Sequence, residues 1–305
     1  MYCNVSKKSK TIVERAIETV PEFKDLCLKL EHNFSINCKA KSTLNNYQRC
    51  LAHLALHYKV NPVDLNKESI NDYLFHCQNL HKTPSESFFK HTIFGLRAAY
   101  KVMNMTDLKV SLPKIKRQNN LPVILSKQEV KALIDSPKYL KHRLVIAMLY
   151  GCGLRNYELC NLEQKDIDFD RKTVFVKKQK GNHDRYVPLS DLLTRGLKKY
   201  FTTEHPYRWV FNSQVTKDGE VRKYTQSGVR WAIKEAKSKT GIQKKVTAHM
   251  LRHTYATHLL EDGLDIVSIK ELLGHVRIET TLIYLHVANL GKKPKYSPLD
   301  TLYKK

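Results

Sequence analysis

The 305-residue sequence lacks a long apolar run, a secretion signal and a Cys-x-x-Cys pair, and it has few acidic residues. Its longest apolar stretch, 144–154, is shorter than the about 18 residues of a membrane span, and Gly151 and Gly153 interrupt it. No apolar segment with a small-residue cleavage site follows the basic N-terminus, so the sequence does not predict export through a signal peptide. We therefore expect a cytoplasmic protein with no membrane partner.

The cysteines and histidines do not indicate disulfides or a metal site. Seven cysteines without a Cys-x-x-Cys pair are typical of reduced, mostly buried thiols. Some of the 14 histidines have His-x3-5-His spacing, but zinc sites of that spacing usually include partnered cysteines. We predict neither a metal ion nor another cofactor.

The charge balance predicts a polyanionic partner. The chain has 53 Lys+Arg and 29 Asp+Glu, a formal net charge of +24 at pH 7. The excess is spread along the chain, since residues 1–120 alone contain 19 basic and 10 acidic residues. Nucleic acid is the common partner of such a protein. The length and the 42% apolar content favour roughly two domains, each with its own core and each basic enough to contact the same nucleic acid.

Residues 1–105 are predicted to form an all-helical domain. Thr11-x-x-Glu14 has the form of a capping box at a helix start, and Pro21 interrupts the chain before a second helix at 22–31. Apolar residues at helical spacing then predict three further helices, around 42–58, through Tyr73 and Leu74, and around 89–103.

Residues 106–121 read as a basic linker, and residues 122–290 as a second, mainly helical domain with a small β-sheet. Another capping box, Ser126-x-x-Glu129, opens this domain, and two β-prone runs joined through Gly181-Asn182 predict a hairpin of 173–178 and 185–189. Helices are expected around 144–150, 226–239, 248–261 and 266–273, followed by a short one through Tyr284 and a tail at 291–305.

Four segments of the second domain concentrate cations, imidazoles and one tyrosine. Each is a weak signal alone, since Arg155 with Glu158 can be a surface salt bridge and Lys180 can lie in a solvated turn. Together they supply what phosphoryl transfer without a metal needs: cations for the nonbridging oxygens, an acid for the leaving alkoxide and a tyrosine nucleophile, whose pKa is about 10 when unperturbed. The segments centre on Arg155, on Lys180, on His249 with Arg252, and on His275 with Tyr284.

These segments resemble the motifs of the tyrosine recombinase, or phage integrase, family. The resemblance rests on Gly153-Leu154-Arg155-x-x-Glu158-Leu159, Lys180-Gly181, His249-x-Leu251-Arg252-His253 and Leu273-Gly274-His275, followed by Tyr284. Their order and spacing match over most of 122–290, and the first domain is similar to the helical core-binding domain of that family. The second domain is similar to the Xer-like branch, and Ser297-Pro298-Leu299-Asp300 resembles the C-terminus of integron integrases.

The resemblance implies a site-specific recombinase that cuts and rejoins duplex DNA through a 3′-phosphotyrosyl intermediate without metal or ATP. It implies that Arg155 and Arg252 bind the scissile phosphate with help from His249 and His275, that Lys180 protonates the 5′ oxygen, and that Tyr284 is the nucleophile. It also implies a two-domain clamp around DNA and a tetramer on two synapsed sites. The expected DNA-backbone contacts are Lys90, Arg97, Lys101, Lys114, Lys116, Arg117, Lys177 and Lys178, which could instead form solvated surface charges.

Two alternatives remain open at this point. A recombinase-like protein could hold or repress DNA without strand transfer, although all six catalytic positions are filled here. A topoisomerase could use the same tyrosine chemistry to relax supercoiled DNA that contains no recombination site.

Overall fold

The computed structural model describes residues 10–79, 86–105, 121–177, 184–213 and 219–288. They form two compact units, one before and one after the 106–120 gap. The predicted linker thus lies almost wholly outside the described residues, as do the tip of the predicted hairpin and the tail at 291–305. None of the described helices is both long and apolar enough to cross a lipid bilayer.

The first unit is entirely helical where it is described, as predicted. The side chain of Thr11 accepts from the Glu14 amide and the Glu14 carboxylate accepts from the Thr11 amide, which confirms the first capping box. Pro21 lies in the turn between the first two helices, and the second continues to Ile36, beyond the predicted 22–31. The helices are α1 (Ile12–Thr19), α2 (Phe23–Ile36), α3 (Lys41–Tyr58), α4 (Lys67–Asn79) and α5 (Glu86–Val102).

The core of the first unit forms around α3, which packs against α1, α2 and α5. Leu51 and Leu54 of α3 and Leu96 and Tyr100 of α5 are fully buried. The apolar residues at helical spacing therefore face inward, and the charged residues between them remain on the outside of the bundle.

The second unit combines helices with one small antiparallel sheet of order β1-β2-β3. Thr173 pairs with Pro188 and Val176 with Arg185, which confirms the predicted hairpin and places Arg185 at the end of the pairing next to the tip. The elements are α6 (Lys127–Asp135), α7 (Leu140–Gly151), α8 (Asn156–Asn161), β1 (Ile167–Asp168), β2 (Thr173–Val176), β3 (Arg185–Pro188), α9 (Asp191–Glu204), α10 (Gln226–Ser238), α11 (Ala248–Glu261), α12 (Ile266–Leu273) and α13 (Glu279–Leu282), with 3₁₀ turns at Gln164–Asp166 and Ile283–His286.

Helix α7 is the centre of the second core. Val145, Ile146, Met148 and Leu149 are fully buried, and α6, α9, α10 and α11 all pack against this helix. Because α11 lies on α7, its first turns are held near the turn that leads from α7 into α8. This packing brings the motif at 249–253 close to the motif at 153–159.

Candidate active site

Arg155 is positioned by a tight turn between α7 and α8. Gly153 has φ of 57°, in the left-handed region, and a Cβ at this position would overlap the ring of Tyr255. Arg155 follows as the N-cap residue of α8, and its side chain is 29% exposed. The turn therefore requires glycine and leaves the Arg155 side chain only partly covered.

Glu158 is the buried carboxylate that holds this turn together. It accepts hydrogen bonds from the Arg155 amide and from Arg155 Nη1, both at 2.8 Å, as the spacing predicts. Burial acts to raise the pKa of Glu158, but the hydrogen bonds and charge of Arg185, the Arg155 amide and the charge of Arg252 together lower it to about 2. Glu158 is therefore ionised at neutral pH and binds cations from three segments.

Arg252 is almost fully buried, at 1% exposure. Its Nη1 donates to the Gly153 carbonyl at 2.7 Å and its Nη2 donates to the Leu273 carbonyl, while Nη1 lies 3.8 Å from the Glu158 carboxylate. Burial and the charge of Arg155 lower the pKa of Arg252 to about 9, which leaves the guanidinium charged at neutral pH. Two backbone carbonyls and one carboxylate thus hold this cation beside Arg155.

Arg185 belongs to the same cluster, although no sequence motif assigned it a role there. Its Nη1 and Nη2 donate to the two Glu158 oxygens at 3.0 and 2.8 Å, and its Nε donates to the Leu272 carbonyl at 2.7 Å. The Arg185 side chain also lies against Gly274, where an added Cβ would come within 3.1 Å of it. Arg185 therefore joins the hairpin, helix α8 and the end of helix α12.

His249 and His253 are one turn apart on α11. His249 is an exposed residue in the first turn of the helix, whose N-cap Thr247 accepts from the Met250 amide. The two rings are 4.2 Å apart in an edge-on arrangement. The pKa of His249 is lowered, mainly by desolvation and then by the positive charges of Arg252 and Arg155.

His275 and Tyr284 complete the cluster from the C-terminal side. Gly274 ends α12 with φ of 61°, and the following His275 has its Nδ1 2.9 Å from the Thr281 hydroxyl. Burial and the charges of Arg252 and Arg155 lower the pKa of His275 to about 3, so the ring is neutral at pH 7. Tyr284 is 1% exposed in the 3₁₀ turn, and its hydroxyl lies 2.9 Å from His253 Nδ1.

The environment of Tyr284 acts on its hydroxyl in two directions. Burial raises the pKa of Tyr284, whereas the positive charges of Arg252 and Arg155 oppose that rise. The hydroxyl is therefore protonated at neutral pH, and the phenolate that would replace it is stabilised by the two arginines.

Five of the six predicted catalytic residues thus lie in one cluster, namely Arg155, His249, Arg252, His275 and Tyr284. The sixth, Lys180, lies outside the described residues. No group of three or more His, Cys, Asp or Glu side chains suited to a metal ion occurs in the part of the chain that the structure describes.

The predicted DNA-backbone contacts are only partly described. Lys90, Arg97 and Lys101 lie on α5 at spacings of seven and four residues, which places them on one helix face, and Lys101 is exposed. Lys177 has its Nζ 2.8 Å from Asp166 and 3.5 Å from Glu163, so it is already held by two carboxylates. Lys114, Lys116, Arg117 and Lys178 lie outside the described residues.

The segment that holds the cluster matches a known family. The model of the phage integrase family matches residues 124–290. The chain is 36% identical over 229 residues to the tyrosine recombinase XerA of Thermococcus kodakarensis, a match that covers 73% of this chain and 78% of the relative. It is 31% identical over 284 residues to the tyrosine recombinase XerC of Staphylococcus haemolyticus, covering 88% of this chain and 92% of the relative.

Solved structures have the same fold. The crystal structure of a XerA recombinase aligns with a TM-score of 0.51 at 26% identity, covering 90% of this chain and 100% of the other. The post-cleavage complex of the XerH site-specific recombinase with a palindromic difH substrate aligns with a TM-score of 0.65 at 20% identity, covering 94% and 96%. The sequence similarity and the shared fold indicate the same family. This chain belongs to the phage integrase family of tyrosine recombinases, enzymes that cleave and rejoin DNA.

Proposed function

We propose that this chain recombines duplex DNA at specific sites and that the cluster around Glu158 is where the strands are cut and rejoined. The observation that carries the proposal is the placement of a buried tyrosine hydroxyl under the influence of two arginines, Arg155 and Arg252, in one unit. Cations aimed at the developing charge are the main requirement of phosphoryl transfer.

In the proposed reaction the two arginines bind the nonbridging oxygens of the scissile phosphate. Tyr284 Oη attacks phosphorus, the bond from phosphorus to the 5′ oxygen breaks, and Lys180 gives a proton to that oxygen. His249 and His275 assist at the phosphate. The resulting 3′-phosphotyrosyl bond conserves the energy of the phosphodiester, so the 5′ hydroxyl of another strand reverses the step without ATP.

DNA is the proposed partner, because enzymes of this family cleave and rejoin DNA and because the net charge of the chain is +24. We propose contacts to its backbone from Lys90, Arg97 and Lys101 and from the basic residues of 106–121, with the two domains closing around the duplex. Recombination joins four strands, so we propose a tetramer on two sites. We also propose that the protein acts in the cytoplasm, in association with DNA.

The first experiment identifies the DNA site and the nucleophile together. A pool of random-sequence duplexes, each with one nick, is incubated with the protein, and adducts that survive detergent are captured and sequenced. A nick lets the cleaved fragment diffuse away, so a covalent adduct accumulates. We expect one recurring sequence for the wild-type chain and no adduct for Tyr284→Phe.

Tyr255→Phe is the matched control. Tyr255 is also buried in this unit, but its hydroxyl has no hydrogen-bond partner among the described residues. We expect this variant to form adducts at the wild-type rate. Adducts that persist in Tyr284→Phe would contradict the assignment of the nucleophile.

A second experiment tests Lys180. A sulfur atom in place of the bridging 5′ oxygen leaves as a thiolate, which needs no proton. We expect Lys180→Ala to slow cleavage of ordinary DNA by about 100-fold or more and to cleave the sulfur-containing DNA at nearly the wild-type rate. Equal loss on both substrates would make Lys180 a phosphate contact instead.

A third experiment separates recombination from relaxation. Plasmids carrying no site, one site or two sites are incubated with the protein. A recombinase yields deletion or inversion products only from the two-site plasmid, whereas relaxation of the plasmid without a site favours the topoisomerase alternative.

A further inference from the structure

His253 has no role in the proposed reaction so far, yet it contacts the nucleophile. It follows Arg252 on α11, and its Nδ1 lies 2.9 Å from Tyr284 Oη. The two ring centroids are 5.6 Å apart. The 2.9 Å between Nδ1 and Oη is the distance of a hydrogen bond between a ring nitrogen and a tyrosine hydroxyl.

Other groups near the tyrosine are placed differently. His275 has its Nδ1 engaged with the Thr281 hydroxyl, and His249 is exposed with its ring against His253. Among the described residues, His253 is the side chain that hydrogen-bonds the Tyr284 hydroxyl. Geometry therefore favours His253 over the other two histidines as the group that exchanges a proton with the nucleophile.

The surroundings of His253 keep its ring unprotonated. The titratable and charged groups that face it are His249 and Arg252 on its own helix, and His275 and Tyr284 from the C-terminal segment. Burial, followed by the influence of His249 and Arg252, lowers the pKa of His253 to about 4. No carboxylate of the described residues hydrogen-bonds the ring, so nothing there restores the charged form.

We propose that His253 is the general base that takes the proton from Tyr284 during strand cleavage and the acid that returns it during rejoining. The proposal rests on the proposed function and adds a catalytic residue to it. In the ground state the Tyr284 hydroxyl donates to Nδ1, and the ring carries its own hydrogen on Nε2.

The Oη–H bond breaks and its proton moves to Nδ1, while the oxygen electron pair forms the bond to phosphorus. The bond between phosphorus and the 5′ oxygen breaks, and its electron pair leaves with that oxygen. A proton from Lys180 then completes the 5′ hydroxyl. On rejoining, the protonated His253 returns its proton to the departing Tyr284 oxygen.

This base has a defined consequence for the pH dependence. Because the pKa of the wild-type ring is about 4, the ring is almost entirely neutral at pH 6 and above, and cleavage should be nearly independent of pH between 6 and 8. Without the base, Tyr284 must lose its proton to solvent first, and the rate should rise about tenfold per pH unit below the pKa of the tyrosine.

The test uses the full chain and a nicked duplex with the selected site and a sulfur-substituted 5′ position, so that protonation of the leaving group does not limit the rate. We expect His253→Gln to cleave about 100-fold or more slowly than wild type at pH 6, with the gap narrowing about tenfold per pH unit. Imidazole added to His253→Ala should restore part of the rate. His249→Gln is the matched control, since it should lower the rate without making it pH-dependent.

A level pH profile for His253→Gln, or a wild-type rate that itself rises tenfold per pH unit between 6 and 8, would overturn the proposal. The wild-type profile needs no variant, so the proposal can be refuted even where a substitution impairs folding. The proposed function fails separately, if wild-type protein forms no adduct that depends on Tyr284.

Discussion

Replacing Arg185 with methionine should destabilise the second unit severely. The substitution removes two hydrogen bonds to Glu158, of 3.0 and 2.8 Å, and one of 2.7 Å to the Leu272 carbonyl. The side chains of Arg185 and Glu158 are 7% and 3% exposed, so water does not replace the lost partner. Methionine retains much of the apolar volume, and the loss is therefore mainly electrostatic.

The expected magnitude follows from burial. Removing one partner of a buried ion pair costs about 3–5 kcal/mol, because the other charge is left without compensation. Glu158 keeps Arg155 and lies near Arg252, which places the loss at the lower end, about 3 kcal/mol. For a unit of this size each kcal/mol shifts Tm by about 2–4 °C, so we expect a fall of about 6–12 °C.

Tryptophan fluorescence during urea or thermal unfolding measures this loss selectively. The chain has two tryptophans, Trp209 and Trp231, and both lie in the second unit, so their signal reports on that unit alone. The control is Arg222→Met, which removes a surface ion pair with Glu220, whose partners are 62% and 65% exposed. That variant should lose less than about 1 kcal/mol.

A double substitution gives the decisive comparison. Where Glu158→Gln is combined with Arg185→Met, no buried carboxylate remains to be compensated, so the loss should be smaller than the sum of the two single losses. Strict additivity, or an Arg185→Met loss no larger than that of Arg222→Met, would refute the claim that these two side chains stabilise the site as a pair.

Three further outcomes are expected. Gly153→Ala should cost about 2–6 kcal/mol in the same unfolding assay, because it strains the backbone and makes the new Cβ overlap the Tyr255 ring. Gly263 also has positive φ but has open space around its Cβ position, so Gly263→Ala should cost only the backbone strain, about 1–3 kcal/mol. The stability of the second unit should fall as the pH drops from 7 towards 4. In the unfolded chain His275 has a pKa of about 6.5 and takes up a proton over this range, whereas in the folded chain its pKa is lowered to about 3 and it does not. The variant His275→Gln should therefore lose less stability over the same range. Lys101→Ala should reduce the slope of log affinity for DNA against log salt by about 0.9, whereas Lys29→Ala, whose lysine is already paired within its own helix, should leave the slope nearly unchanged.

Local signals predicted the hairpin and most of the helices, whereas helix α9 received no predicted bounds. A capping box needs only four consecutive residues, so Thr11 and Ser126 could be identified as N-caps, and both have that role in the structure. The hairpin and helix α11 have similarly local patterns, and α11 begins and ends where the apolar spacing predicts. The extension of the second helix to Ile36 was missed, because the apolar residues that bury its last turns lie on other helices.

The contacts of Arg185 and His253 could not be predicted in the same way. Glu158 lies 27 residues before Arg185 and Leu272 lies 87 residues after it, so no window of sequence contains the buried pair. His253 was visible in its motif, but its partner Tyr284 is 31 residues further along the chain. The role of each residue depends on which distant segment packs beside it, and α7 and α11 together determine that packing.

The charges of the site explain why its histidines are neutral and why Glu158 is needed. Arg155, Arg185 and Arg252 bring three positive charges to one carboxylate, which leaves an excess of two among the described residues of the cluster. Without substrate that excess disfavours further positive charge, and it contributes to lowering the pKa of His275. In the proposed reaction a phosphodiester brings one negative charge, and a second develops on its oxygens as Tyr284 attacks, so the excess is matched in the transition state rather than before it. A fourth arginine in place of Glu158 would hold the phosphate more tightly in the ground state, but the four guanidinium groups would then repel one another without any carboxylate to keep them in position.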